Sequence, residues 1–281
     1  MARAPSGRRR RGRQGGLMTV ATRLLEALDA GGLTRLPSQQ EPAFDMHAAF
    51  AVADELRRRR IARGEKPLGY KIGFTNRSIW DRYGVHQPIW GPVWDSSTAL
   101  LGTPTVSVPL TGLSQPRLEP EVVFAFARAP RAGMSLAELQ GCLDWVAHGF
   151  EIVHTHFEGW RFTAADCVAD FALHGRLRVG PRVPVQDWKT LAEDMAALQV
   201  ELLCDGKVMD RGQGAVVLDG PLNALRLWVD AMAEFTPDWP IRPGDVVTTG
   251  TITDAWPLLP GQRWQTRLSD ARLYALTLKT V

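Results

Sequence analysis

The 281-residue chain contains little cysteine: Cys142, Cys167 and Cys204 are its three thiols, and no two of them form a CxxC pair. An odd number of widely spaced cysteines does not fit the disulfide framework of a small secreted domain. We therefore expect reduced, buried thiols and a cytoplasmic location.

Long apolar runs are also missing. No segment approaches the length of a membrane span, and the N-terminus lacks the apolar core of a secretory signal peptide. The sequence shows no internal repeat, no low-complexity segment and no GxxxxGK phosphate-binding loop. These absences predict a protein without a membrane anchor and without a P-loop nucleotide site.

Positive charge is concentrated at one end. With 45% hydrophobic and 22% charged residues, the composition is that of an ordinary globular protein. Six of the 33 basic residues are arginines within residues 1–17, which contain no acid, so 27 basic residues remain against 30 acidic ones. The rest of the chain is mildly acidic, which argues against a nucleic-acid-binding surface.

Residues 1–17 have no apolar run of their own, so we predict a disordered, arginine-rich tail. Two alternatives remain open for this segment. It can bind polyanions or serve in targeting, or it can be an extension ahead of a start at Met18.

The hydrophobic pattern divides the remaining sequence into two parts. Residues 18–99 form an N-terminal helical part, with helices predicted over 20–30 and 44–62. From residue 100 to residue 281 the pattern is typical of short strands between turns, with two helices over 134–149 and 220–235. A hairpin turn is predicted at Asp205 and Gly206. The fold class is therefore α+β, with a β-rich domain behind a small helical N-terminal part.

Two carboxylates stand where the pattern predicts core. In RLEPEVVFAF, Glu119 and Glu121 share one face of a strand, about 7 Å apart. Both faces become apolar after them, and two like charges at the entrance to a core are costly unless a cation or a proton compensates them. Glu151 opens a later strand, and three carboxylates suit Mg²⁺ or Mn²⁺. The alternative is an exposed edge strand without a metal.

Several segments, in the same order, resemble those of the fumarylacetoacetate hydrolase superfamily. They are GYKIGFTNRSIWDRYGVHQPIWG, RLEPEVVFAF, FEIVHTHFEGWRF, DCVAD, GPLNALRLWV and RPGDVVTTG. They look most like its branch of 2-keto-4-pentenoate hydratases and 4-oxalocrotonate decarboxylases. The resemblance implies a mixed β-roll catalytic domain over residues 100–281 and a divalent cation, Mg²⁺ or Mn²⁺, bound by Glu119, Glu121 and Glu151.

The same resemblance implies a lyase that acts on a 2-oxo acid or a 2-hydroxydienoate in the catabolism of ring-cleavage products. A bound metal ion would stabilise the enolate that hydration, decarboxylation and C–C hydrolysis share. Hydratase is the first interpretation because the order of the motifs fits that branch. Decarboxylase is second, acylpyruvate hydrolase third, and a non-catalytic partner subunit is the interpretation from another class. The resemblance also implies a homo-oligomer, with a related lyase subunit as a further partner.

Three more residues are assigned by resemblance. Lys71, in GYKIG, would pair with the charge of the substrate or relay a proton, and Gly69 and Gly73 beside it would allow close backbone approach. Thr249 would hold the substrate carboxylate, and Asp170 would order a water or support a ligand. The alternatives are an exposed strand lysine and an ordinary turn threonine.

At two places the chain departs from the branch. Ile89 stands where the hydratases usually have an acid, and Phe171 and Leu173 stand where they have an amide and a hydroxyl. We therefore expect a less polar pocket that orients water less well. His86 or His174 would then replace the missing proton-handling groups.

Other residues leave both structural and functional interpretations open. Strand periodicity places His154 and His156 on the face opposite Glu151, which favours packing or an interface over a second metal site. Trp90, Trp94 and Trp160 are expected in the core, with the lining of a larger pocket as the alternative.

Overall fold

The computed structural model describes residues 7–41 and 43–281, so residues 1–6 and residue 42 lie outside the described part of the chain. Eight α-helices lie within the described residues. They are α1 Gly7–Ala30, α2 Pro37–Gln40, α3 Met46–Ala62, α4 Trp80–Tyr83, α5 Leu136–Gln140, α6 Ala164–Ala169, α7 Leu191–Ala197 and α8 Pro221–Phe235.

Fourteen strands lie in the same described ranges. They are β1 Pro67–Gly73, β2 Ile89–Trp94, β3 Thr98–Leu100, β4 Thr105–Val108, β5 Arg117–Phe126, β6 Leu143–Val153, β7 His174–Val179, β8 Val183–Pro184, β9 Gln199–Cys204, β10 Lys207–Gln213, β11 Val246–Thr251, β12 Trp256–Pro257, β13 Arg263–Leu268 and β14 Thr277–Thr280. The mixture of helices and mostly antiparallel strands confirms the α+β fold class.

In the part of the chain that the structure describes, the strands form two sheets. The larger sheet has the order β2-β1-β11-β5-β6-β7-β3, with β12 pairing with β5 and β8 with β6, and the smaller sheet has the order β10-β9-β13-β14-β4. One apolar cluster joins the two sheets, for example through Phe150, Leu202 and Trp264. A larger one packs α1, α3 and α8 against the nine-stranded sheet, with Leu24, Phe50 and Trp228 among its members. Helices thus cover the larger sheet, and the smaller sheet packs against part of the larger one.

The N-terminal part, residues 18–99, contributes three strands to the larger sheet. Strand β1 pairs in parallel with β11, with Lys71 opposite Thr248, and in antiparallel fashion with β2. The segment around Lys71 therefore lies beside β11 and one strand away from β5. The predicted division at residue 100 runs through a single sheet, because β1 and β2 precede it, β3 spans it, and the other strands of that sheet follow it.

The helix predicted over 134–149 is wrong for most of its length. A capping box of Ser135 and Glu138 starts α5, but the helix ends before Gly141, and β6 begins at Leu143. Strand β6 pairs with β5 on one side and with β7 and β8 on the other. This two-sided pairing overrides the local helical periodicity, which is a weak preference by comparison.

Two other predictions have different outcomes. The turn at Asp205 and Gly206 joins β9 to β10 as predicted, and both residues have the positive φ of a tight hairpin, 49° and 83°. Helix α1 begins at Gly7, so residues 7–17 are helical and not disordered as predicted. Residues 1–6 of the predicted tail lie outside the described residues.

Among the described helices, none combines the length and the apolar composition that a membrane span requires.

Gly69 allows β1 to lie against β11. Its φ is +141°, and a Cβ added there would lie 1.9 Å from the carbonyl oxygen of Val246. We predict that Gly69→Ala lowers the free energy of unfolding by about 3 kcal/mol or more, because overpacking and an unfavourable φ add up. Chemical denaturation monitored by circular dichroism measures this.

Gly64→Ala is the matched control. Gly64 also has a positive φ, +96°, but open space surrounds the position of its Cβ. The free energy of unfolding of Gly64→Ala should fall only by the cost of the unfavourable backbone conformation, about 1 kcal/mol. Equal losses for the two variants would contradict the close approach of β1 and β11.

Candidate active site

Three glutamates meet on adjacent strands of the larger sheet. In the antiparallel pair β5–β6, Glu119 lies directly opposite Glu151, and Glu121 follows two residues later on the same face of β5. Each glutamate offers one carboxylate oxygen, and these three atoms all lie within 4.8 Å of one another. Glu121 and Glu151 are fully buried, and Glu119 is half-buried.

Strand β11 holds Glu121 in place. Its Oε2 accepts hydrogen bonds from the hydroxyl of Thr248 and from the backbone N–H of Gly250, the latter at 2.7 Å. Its Oε1 is buried and has no hydrogen-bond partner among the described residues. A buried carboxylate oxygen without a donor is costly, and a metal ion would supply its missing partner.

Glu151 is held by two basic side chains. His174 Nδ1 lies 2.8 Å from Oε1, and Lys71 Nζ lies 3.1 Å from Oε2. The other ring nitrogen of His174 lies 2.8 Å from the hydroxyl of Ser97, so both nitrogens are engaged. Burial alone would raise the pKa of Glu151, but Lys71 and His174 together lower it below its usual range.

Negative charge exceeds positive charge in this cluster. Burial first, and the neighbouring carboxylates next, raise the pKa of Glu121 well above its usual value. Burial likewise raises the pKa of Glu119, to about 7, against the effect of Lys71. Although burial lowers the pKa of Lys71, the three glutamates raise it overall. Three oxygen ligands with one compensating ammonium group therefore fit a divalent cation, which would relieve the remaining repulsion.

A cavity of about 330 Å³ opens beside the cluster. Gly250 lines it, and its polar lining residues are Lys71, Thr75, Asn76, Arg117, Glu119, Thr251, Thr253 and Asp254. Its other lining residues are mostly apolar or aromatic and include Phe74, Ile79, Tyr83, Ile89, Val153, Trp160, Phe162, Ala172 and Leu173. Such a volume is at the lower end of the range, about 300–1,000 Å³, that small-molecule sites occupy.

Strained backbone surrounds the cavity. Phe74, Trp160, Ala172 and Leu173 all line it, and all have positive φ values between 51° and 65°. A side chain with a Cβ pays free energy in this conformation, and such residues concentrate at functional sites. The strain supports the assignment of this cavity as the active site.

Relatives of known name show the family of the chain. The 2-keto-4-pentenoate hydratase of Burkholderia vietnamiensis is 32% identical over 239 residues, 84% of this chain and 87% of the relative. The 4-oxalocrotonate decarboxylase of Pseudomonas sp. strain CF600 is 31% identical over 216 residues, 76% of this chain and 78% of the relative. The chain belongs to the family of these hydratases and decarboxylases. No family model matches the chain.

Two solved structures resemble this chain in fold. The 4-oxalocrotonate decarboxylase of Pseudomonas putida G7, complexed with magnesium and adipate, covers 100% of both chains with a TM-score of 0.86 and 25% identity. The fumarylpyruvate hydrolase of Pseudomonas aeruginosa, complexed with Mn²⁺ and pyruvate, covers 75% of this chain and 88% of its own, with a TM-score of 0.58 and 16% identity, a likeness of fold alone. The predicted family and fold are confirmed, and the chain is a lyase of the hydratase and decarboxylase family.

In this family member, Thr249 lies elsewhere than predicted. Its hydroxyl donates to the carbonyl of Val122 at 3.0 Å, and it is not among the described residues that line the cavity. Its neighbours Thr248 and Gly250 make the contacts with Glu121 instead. Because adjacent strand residues point to opposite faces, the side chain of Thr249 points away from the face on which Thr248 contacts Glu121.

The two candidate histidine bases are also placed outside the cavity. His86 is exposed, and His174 is buried behind Glu151. None of the described residues that line the cavity is a histidine. Burial lowers the pKa of His174 in spite of Glu151, so this ring serves as a neutral hydrogen-bonding support for the carboxylate.

Asp170 supports the loop that follows β6. Its carboxylate accepts hydrogen bonds from the hydroxyl of Thr155 and the backbone N–H of His156, and it lies 2.5 Å from Nδ1 of that histidine. Asp166, the other acid of this motif, caps α6 and binds Ser38. Neither aspartate is among the described residues that line the cavity.

The strand predicted through His154 and His156 is wrong beyond Val153, where β6 ends. Both histidines are buried, with ring centroids 4.6 Å apart, and neither belongs to the group of possible ligands around Glu151. Burial lowers the pKa of His154 to about 3, so its ring is neutral. A pair of packed histidines, one of them bound to Asp170, is what the described residues show.

Two of the three residues that led us to expect a less polar pocket lie at the cavity wall. Ile89 and Leu173 both line the cavity, close to Lys71 in the same lining, whereas Phe171 packs in the core. Trp90 and Trp94 are fully buried, as the core interpretation predicts. Trp160 differs from them, because it is half-buried and lines the cavity.

Glu121→Gln tests the metal site directly. The substitution keeps the size of the side chain but removes the negative charge of the carboxylate whose Oε1 has no hydrogen-bond partner among the described residues. We predict that the affinity for Mn²⁺ falls by at least about 10-fold, since loss of a supporting group alone often costs that much. Isothermal titration calorimetry measures the affinity, with Glu201→Gln, a surface carboxylate paired with Arg211, as the control. Unchanged binding in Glu121→Gln would contradict the assignment.

A comparison of His174→Gln with His86→Gln tests whether His174 supports Glu151 and whether His86 takes part in the reaction. Loss of the ring that orients Glu151 should weaken Mn²⁺ binding by about 10- to 100-fold. His86→Gln, at an exposed position, should leave Mn²⁺ binding and the pH dependence of turnover unchanged. A change in the pH profile caused by His86→Gln would restore His86 as a candidate base.

Proposed function

We propose that the protein is a Mg²⁺- or Mn²⁺-dependent hydratase of a 2-hydroxydienoate. One observation carries the proposal: the three-glutamate cluster and Lys71 lie together at one cavity. The named hydratase relative supports the choice of reaction. The choice of metal follows from the oxygen-only ligand set, which suits hard divalent cations.

Glu119, Glu121 and Glu151 would hold the metal ion. When bound, it supplies positive charge next to the carboxylate and the 2-oxygen of the substrate, where negative charge develops during the reaction. Among the glutamates, Glu119 is the one that lines the cavity, so the substrate would approach the cluster from its side. His174 and the Thr248–Gly250 segment hold the other two carboxylates in a fixed orientation.

Lys71 is the proposed proton-transfer residue. Its side chain lies at the wall of the cavity, and its Nζ lies 3.1 Å from Glu151. An ammonium group there can pair with the substrate carboxylate and deliver a proton to a carbon of the dienol. Its fixed position on β1, between Gly69 and Gly73, reduces the cost of orienting it.

Decarboxylation is the second candidate, and the apolar wall favours it. Ile89 and Leu173 present no donor or acceptor that would orient a water molecule for addition. Loss of CO₂ needs the stabilised negative charge but no added water. The solved decarboxylase whose fold matches over the whole of both chains supports this alternative.

Two further interpretations lose support. Acylpyruvate hydrolysis depends on His86 or His174 as the base, and neither is among the described lining residues. A non-catalytic partner subunit has no physical need for three clustered acids, two of them fully buried. A homo-oligomer, a related lyase subunit and a cytoplasmic location remain proposals that rest on family resemblance.

Turnover with two substrates decides between the candidates. The protein is incubated with 2-hydroxypenta-2,4-dienoate and, separately, with 4-oxalocrotonate, each with Mg²⁺ and with EDTA. We predict metal-dependent loss of dienol absorbance without release of CO₂. Release of CO₂ from 4-oxalocrotonate would assign decarboxylation instead, and no turnover of either substrate by metal-loaded protein would contradict both.

Lys71→Met tests the proton-transfer role. We predict that kcat falls by at least about 100-fold, within the usual range for loss of a general acid or base. Lys66→Met, at an exposed position just before β1, is the matched control and should retain full activity. Mn²⁺ titration of Lys71→Met shows whether the metal site is intact. A variant that binds metal and turns over normally would exclude Lys71 from the chemistry.

A further inference from the structure

Four aromatic rings form a continuous arc along the cavity wall. Phe74 and Tyr83 lie 4.9 Å apart between ring centroids, Tyr83 and Phe162 lie 5.8 Å apart in a stacked arrangement, and Phe162 and Trp160 lie 6.0 Å apart. All four residues line the cavity that contains Lys71. We call Phe74, Tyr83, Phe162 and Trp160 the aromatic arc.

The arc differs from the aromatic core of the protein. Trp90, Trp94 and Trp228 are fully buried, whereas each ring of the arc is half-buried and faces the cavity. When a ligand covers apolar ring surface that faces a cavity, the burial of that surface favours binding. The arc is therefore an apolar binding surface next to a polar one.

Backbone strain points to the same conclusion independently. Phe74 and Trp160 adopt positive φ values of 55° and 59°, which aromatic residues rarely adopt. Trp160 is also fixed at its indole N–H, which donates to the carbonyl of Gln115 at 3.1 Å. The guanidinium of Arg117 stacks 4.1 Å from the centre of its ring. The ring is held in place before any ligand binds, which reduces the entropic cost of binding.

We infer that the arc recognises the end of the substrate remote from its carboxylate, and that this end is a neutral aryl group. The inference rests on the proposed function, in which the carboxylate and 2-oxygen of the substrate lie at the three-glutamate cluster. The remote end of the same molecule then extends along the cavity onto the arc. Ring–ring contacts favour a planar, unsaturated group over a branched alkyl chain.

The charges of the cavity argue against a second carboxylate at that end. The exposed Asp254 lines the cavity and would repel it. The basic lining side chains are Lys71 and Arg117, but Lys71 pairs with Glu151 at the three-glutamate cluster. Arg117 stacks on Trp160 and lies on the same face of β5 as Glu119, two residues away. A neutral group meets neither repulsion nor the cost of desolvating a carboxylate.

Three ligands with the same 2-oxo acid head test the inference without turnover. They are 2-oxobutanoate, 2-oxo-4-phenylbutanoate and 2-oxoglutarate, which carry hydrogen, phenyl and carboxylate at the same carbon. Calorimetry in saturating Mg²⁺ measures their Kd values. We expect the phenyl ligand to bind at least about 10-fold more tightly than 2-oxobutanoate, as burial of an aromatic ring predicts. We expect 2-oxoglutarate to bind no more tightly than 2-oxobutanoate.

Substitutions in the arc localise the effect. Trp160→Ala should bring the Kd values of the phenyl ligand and 2-oxobutanoate to within about 3-fold of each other. If Trp160→Ala does not fold, Phe162→Leu is the milder variant that replaces it in the test. It should also reduce the preference for the phenyl ligand over 2-oxobutanoate. Tyr274→Ala removes an aromatic ring that is 50% exposed elsewhere on the surface and should retain the full preference.

The outcomes separate this inference from the proposed reaction. Tight binding of the phenyl ligand by a protein that turns over no dienoate supports the arc and overturns the reaction. Turnover of dienoates with no preference for phenyl, or with 2-oxoglutarate bound most tightly, overturns the arc alone. No binding of any of the three ligands in Mg²⁺ overturns both.

Discussion

The pairing of β5 with β6 is the constraint on which the site depends. Its register sets Glu119 opposite Glu151 and places Glu121 on the same face, so three carboxylates share a space without enough positive charge. Like charges in a buried position are tolerated only where a cation or a proton compensates them. Lys71 compensates in part, and the buried Oε1 of Glu121, which has no donor in the described part of the chain, marks where more positive charge is needed.

The rest of the fold brings supporting groups to that pair. Strand β11 places Thr248 and Gly250 against Glu121, and β1, its parallel neighbour, places Lys71 against Glu151. His174, the first residue of β7, lies on the other oxygen of Glu151. Segments distant in sequence are thus held by one sheet, which explains why the N-terminal part is integral to the catalytic sheet.

Polarity changes across the cavity. The cavity is lined by the charged side chains of Lys71 and Glu119, by the apolar side chains of Ile89 and Leu173, and by the aromatic arc. In the proposed function, Lys71 and Glu119 act at the carboxylate end of the substrate, and Ile89 and Leu173 bear on the choice between hydration and decarboxylation. The aromatic arc bears on the range of substrates instead.

The sequence alone determined the features that depend on local periodicity. The two-residue spacing of Glu119 and Glu121 fixed their shared face, and the segments around Lys71 and Glu151 indicated the family and the fold. Tertiary structure decided which neighbours meet: Thr248 beside Glu121, Thr249 on the carbonyl of Val122, His174 behind a carboxylate, His86 at the surface, and Trp160 at the cavity. Strand alternation is a local property, whereas these contacts depend on sheet register and on loops with positive φ, which no local pattern specifies.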